Sequence, residues 1–247
     1  GETPMQTSRE AVDSLIRGGR ADYVPLHDAP WGDTIDKWRD QGMPVDGEGK
    51  PADIVDHFGF DMAGVGGWFQ WMARTEQETV EENDDWKVVR NGNGAVLKWW
   101  KTHSGTPEHI DFDMSSRQVW EEKYRPLLVE ADPRARVDLD AARKHLARRR
   151  ADNRWTYYGH QFIWECLRAS LGDVNMYIAL VEDPEWIRDF NRVHTDLWKA
   201  CYRLLIEEVG KPDGVWIYED LGYRDKLFCS PAILADLIFP FYAEMVE

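Results

Sequence analysis

The stretch Gly214-Val-Trp-Ile-Tyr-Glu-Asp-Leu-Gly-Tyr223 decides how this chain is read. Residues 214–218 form a short apolar run rich in β-formers, and the run stops at two carboxylates followed by a glycine, so it reads as a strand that empties into a polar loop. Beyond the loop, Ser230-Pro231 opens a helix running toward Val246, because serine caps and proline is tolerated in the first helical turn. Upstream, Asp183-Pro184 does the same for a long helix to residue 209, and 154–159 reads as another strand followed by a helix over 160–171. Further back, helical spacing marks 115–129 and 138–150. Asn91-Gly92-Asn93-Gly94, inside the alternating stretch 86–100, supplies the positive φ angles of a tight β-hairpin. Strands are expected at 22–27 and 60–65, with short helices from Ser8 to the Gly18-Gly19 stop, over 34–41 and over 52–58. Strands alternating with helices predict an α/β protein built on a parallel sheet.

Composition narrows the function. With 247 residues and 43% hydrophobic content the chain can bury a real core. Its 45 acidic against 30 basic residues give a net charge of −15, which repels phosphate backbones and anionic membranes and argues against nucleic-acid binding. No stretch of eighteen apolar residues predicts a membrane span. The three cysteines, Cys166, Cys201 and Cys229, lack CxxC spacing, so a reducing cytoplasm is expected and no cysteine-based metal knuckle is. Thirteen tryptophans fit either core packing or a pocket for a flat ligand.

The ordered set Ser8-Arg9-Glu10-Ala-Val, Asp22-Tyr-Val-Pro25, Trp31 through Trp38, Gly42-Met-Pro44, Ser104-Gly-Thr-Pro107 and the 214–223 stretch resembles the uroporphyrinogen-decarboxylase superfamily. It is closer to the cobamide-methyltransferase-like branch than to the decarboxylases. The resemblance covers nearly the whole chain and implies a (β/α)8 TIM-barrel fold, of which the N-terminal half to two thirds is present. Residues 1–20 are then a helical extension and 21–247 a partial barrel, with a β-hairpin insertion at about 68–112. A half barrel leaves strand edges unpaired, so a fragment, a complementing chain or a homodimer is expected.

In a barrel the working residues lie at the carboxyl ends of the strands. The catalytic candidates are therefore Asp220, His160 and Asp28, and the substrate-binding candidates are His27, Trp31, Trp68, Gln161, Glu219 and Tyr223. Adjacent Glu219 and Asp220 point opposite ways on an extended segment, and Asp220 is expected to face the mouth. His27 and His160 are either hydrogen-bonded rim histidines or ligand contacts, since imidazole titrates near neutrality. Trp68, Trp71 and Trp164 form either an aromatic wall or core. His57, His103, His109, His145 and His194 are expected at the surface away from the mouth, and Arg148-Arg149-Arg150 as a solvated helix end.

Decarboxylases of the superfamily carry arginines after the first strand. Here His27-Asp28-Ala-Pro-Trp-Gly-Asp33 stands instead, a poor clamp for a polyanionic tetrapyrrole. The expectation is small-molecule methyl transfer linked to a corrinoid protein. The alternatives are carboxy-lyase action on a tetrapyrrole or related acid, and a noncatalytic ligand-binding subunit. Zinc enters only through the resemblance, and no ligand set for it is readable in this chain.

Overall fold

The computed structural model describes residues 5–247. It begins with three short helices, α1 (Ser8–Ile16), α2 (Gly32–Asp40) and α3 (Ile54–Phe58), followed by strand β1 (Met62–Gly67). Strands β2 (Glu78–Glu82), β3 (Trp86–Arg90), β4 (Ala95–Trp100) and β5 (Glu108–Phe112) come next. The helical series α4 (Arg117–Val119), α5 (Arg125–Val129) and α6 (Leu139–Ala151) leads to β6 (Trp155–Gln161). Long helices α7 (Ile163–Glu182) and α8 (Pro184–Glu208) precede β7 (Gly214–Tyr218), a small β8 (Gly222–Tyr223) and β9 (Lys226–Leu227) hairpin, and α9 (Pro231–Ile233) with α10 (Phe239–Val246).

The strands form a parallel sheet in the order β1-β6-β7, an antiparallel sheet β2-β3-β4-β5, and the β8-β9 ribbon. The chain is thus an α/β protein with parallel and antiparallel sheets. The parallel sheet is open: three strands pair, and the strand expected over 22–27 does not form. Pro25 has no amide hydrogen, and the segment touches β1 through one backbone exchange, the Asp61 amide donating to the Leu26 carbonyl at 2.8 Å. What holds the segment is a side chain. The Asp61 carboxylate accepts from the Ser8 and Tyr23 hydroxyls and the Leu26 amide at 2.6–2.7 Å. Burial alone would raise Asp61, but these donors outweigh it and hold its pKa below the usual value.

The hairpin at 91–94 is present as the β3–β4 turn, with Arg90 opposite Val96. The antiparallel sheet lies in the chain between the parallel neighbours β1 and β6, and it is docked on the rest of the molecule. Asn93 is fully buried, accepting from the Ala73 amide at 2.7 Å and donating to the Ser170 hydroxyl of α7 at 2.8 Å. Gly94 has φ +78°, and a Cβ there would fall on the Tyr124 hydroxyl. The antiparallel sheet is therefore docked against α7 by its own turn.

The main core lies between α7, α8, α10 and the α4–α5 segment, with Trp120, Trp164, Trp198, Phe190 and Leu167 fully buried. A smaller cluster of Val65, Ala142, Leu146, Tyr158 and Leu205 seals α6 and α8 onto the sheet. Two wide π turns, Trp120–Tyr124 and Leu234–Ile238, each enclose the residue four before a proline, Pro126 and Pro240. A proline ring clashes with that residue's carbonyl in a regular helix, and widening the turn relieves the clash.

Two surface assignments are overturned. Arg148 and Arg150 are exposed at the helix end as expected, but Arg149 between them is buried, its guanidinium bridging Asp53 and Asp56 and tying α6 to α3. His194, expected at the surface, is 1% exposed in the core, stacked on Phe190 with ring centroids 4.1 Å apart. Amphipathic α8 turns that face inward, where Trp186, Phe190, Leu197 and Trp198 are buried with Asn191 and Thr195.

Candidate functional site

A cleft of about 1000 Å³ opens where the antiparallel sheet faces the carboxyl ends of β6 and β7. Its floor follows from strand register. Lys87 stands opposite Trp99, Val89 opposite Leu97, and Leu97 opposite His109, so these five residues share one face of β3-β4-β5. All five line the cleft. The walls come from Trp31 before α2, Trp71 and Met72 after β1, and Gln161 and Tyr218 at the ends of β6 and β7. Loop 101–107 forms the rim, held to the α2 end because the Ser104 amide and hydroxyl both donate to Asp33. Four tryptophans, Trp31, Trp71, Trp99 and Trp100, thus surround one space.

Beside the cleft lies a carboxylate cluster. Glu219 accepts from the Trp164 and Glu165 amides at 3.2 and 3.0 Å and from the Tyr242 hydroxyl at 2.7 Å. Phe162, the N-cap of α7, has no capping side chain, so Glu219 reaches over from β7 to satisfy the orphan amides of that helix. Burial pushes Glu219 up to about 8, with the three donors and helix end pulling the other way. Glu165 is likewise raised by burial, although it pairs with Arg168 at 2.8 Å. Arg168 also meets Asp173 at 3.1 Å and lies 4.5 Å from the Phe228 ring centre, which fastens the loop after β7 onto α7. This arrangement can exchange a proton near neutral pH and can stack a flat ligand nearby.

The structure gathers Trp31 and Gln161 at the cleft, and adds Tyr218, whose hydroxyl donates to Asp220 at 3.1 Å. Of the adjacent carboxylates, Asp220 is exposed and Glu219 is turned inward. His160 is 1% exposed, stacked on Phe69 at 4.1 Å and on Trp68 at 5.7 Å, with its ring nitrogens against the Gln161 and Phe69 carbonyls. Neither nitrogen faces the cleft; His160 is a packing element, its pKa lowered by burial. His27 packs on Trp216 and Tyr157 at 4.7 and 5.6 Å, on the sheet face below, and burial lowers its pKa too. Asp28 is exposed and accepts from the Ala29 amide. Trp68 is 59% exposed against Gly159, and Tyr223 sits on the β8–β9 ribbon beside Phe228. Neither lines the cleft. Trp164 is core and Trp71 is wall.

Sequence reasoning missed Lys87, Trp99, Trp100, His103 and His109 as cleft residues. Both histidines, expected at the surface away from the mouth, are exposed but line the cleft. The period-2 alternation of β3 and β4 already put Lys87 with Val89 and Leu97 with Trp99 on common faces; which face met the rest of the molecule was not readable.

No group of three or more His, Cys, Asp or Glu side chains among the described residues is placed to hold a metal ion. The residues present therefore do not fit the zinc implied by the resemblance. None of the described helices is long and apolar enough to cross a membrane. Compared with known proteins, the chain matches no protein family, no curated protein and no solved structure.

Proposed function

We propose that this chain is the ligand-recognising portion of a (β/α)-barrel enzyme that acts on a flat, largely apolar small molecule held in the tryptophan cleft. One observation carries the reading: four tryptophans converge at the carboxyl ends of parallel strands, where α/β proteins bind ligands. The parallel order β1-β6-β7, with α6 and α8 packed against the sheet, supports this reading. Methyl transfer with a corrinoid protein as donor or acceptor is the reaction class, on the strength of the sequence resemblance. Glu219, pushed up to about 8, is the group suited to hold a proton beside the cleft. Association with a second chain, either a complementing one or another copy, belongs to the same reading, because β7 leaves its outer edge uncovered with Val215 51% exposed.

Titration with flat aromatic compounds, followed by tryptophan fluorescence, tests the cleft. Saturable quenching that is lost in Trp99→Ala supports it, and indifference of the signal to that substitution sinks it. Incubation with methylcobalamin and a bound compound tests the chemistry. Binding with no methyl exchange, alone or with a corrinoid protein, leaves a noncatalytic ligand-binding subunit.

A further inference from the structure

The cleft lining is less acidic than the molecule around it. The chain carries a net charge of −15, yet the lining holds Lys87, Lys101, His103 and His109 against one carboxylate, Asp33. Asp33 is already engaged by the amide and hydroxyl of Ser104. Lys101 is neutralised by Glu82 at 2.7 Å, and the His103 ring is stacked on Trp100, with centroids 6.1 Å apart. Lys87 is different. Its strand register sets it across from Trp99 on β4 and from Glu82 on β2, and with the Glu82 carboxylate held by Lys101 it forms no ion pair of its own among the described residues.

From this the geometry points to a planar aromatic carboxylate as the ligand of the cleft, its ring stacked on Trp99 and its carboxylate on the Lys87 ammonium. Directly opposed residues on antiparallel strands have Cβ atoms about 5 Å apart, so a lysine stem reaches past its neighbour's ring to a group projecting from a stacked ligand. A neutral aromatic ligand fills the same space and leaves the lysine in water. A cationic one meets the Lys87 ammonium, while the nearby carboxylates Asp33 and Glu82 are already engaged by Ser104 and Lys101. The inference deepens the cleft reading and rests on it.

The test uses three probes with one ring system: 2-naphthoate, 2-naphthamide and 2-naphthylmethylammonium, each titrated into the whole chain by calorimetry at low and high salt. Naphthoate is expected to bind about tenfold more tightly than the amide, and the cation most weakly. In Lys87→Met the naphthoate advantage is expected to vanish while amide binding holds. Lys87 is exposed, so the substitution leaves the fold intact. Equal binding of the three probes, a preference for the cation, or an anion preference that survives Lys87→Met overturns the carboxylate inference and leaves the cleft reading standing. Failure of every probe to bind overturns both.

Discussion

His194 illustrates what one buried residue does to the whole. Its Nδ1 meets the Phe190 carbonyl at 2.9 Å and its other nitrogen has no partner, so burial lowers its pKa to about 4. A base held below its unfolded value of about 6.5 stabilises the fold fully above that pH, and the contribution is lost as pH falls toward 4. The loss is on the order of 3 kcal/mol. Urea denaturation at pH 7 and pH 4.5 is expected to show that drop in the natural protein and a much smaller one in His194→Phe. Glu219 carries the opposite slope. Its folded pKa of about 8 lies above the ordinary carboxyl value, so its contribution is present below pH 4.5 and is lost as pH rises toward 8. Glu219→Gln mimics the protonated acid; it should cost about 1 kcal/mol at pH 5 and become the more stable form above pH 8, read from the same denaturation curves.

At the scale of elements, α7 is bent where it must pass the antiparallel sheet. Gly172 interrupts it with φ +71° and ψ 160°, and a Cβ there would lie 2.4 Å from the Phe112 ring. Gly172→Ala therefore meets both a left-handed backbone and a steric overlap. A loss of about 2–4 kcal/mol is expected by thermal or urea unfolding, together with weaker ligand binding, because β5 forms part of the cleft floor. The elements themselves were largely legible. Asp183-Pro184, Ser230-Pro231 and the Asn-Gly turn are local signals, and the helices and hairpin formed where they predicted. The first strand was not legible as absent. Its apolar run is strand-like, yet Pro25 and the grip of Asp61 leave it extended and unpaired.

For the molecule as a whole, the open parallel sheet is the dominant fact. Val215, Trp216, Ile217 and Tyr218 are all exposed on an edge strand with no lysine, proline or bulge to deter pairing. The chain is expected to self-associate at micromolar concentration, and Ile217→Lys to shift it toward monomer by sedimentation velocity with little change in melting temperature. An unchanged distribution of species would remove β7 as the contact.

Sequence alone determined the helices opened at Asp183-Pro184 and Ser230-Pro231, the strands ending near 160 and 218, the acidic balance and the turn at 91–94, since each depends on residues within a few positions of one another. Tertiary structure alone decided that Glu219 turns inward while Asp220 faces solvent, that His194 and Arg149 are buried, and that Lys87, Trp99 and His109 meet Trp31, Gln161 and Tyr218 around one cleft. Those outcomes rest on contacts between segments tens to well over a hundred residues apart. No local periodicity encodes which face of a strand or helix its distant partners will cover.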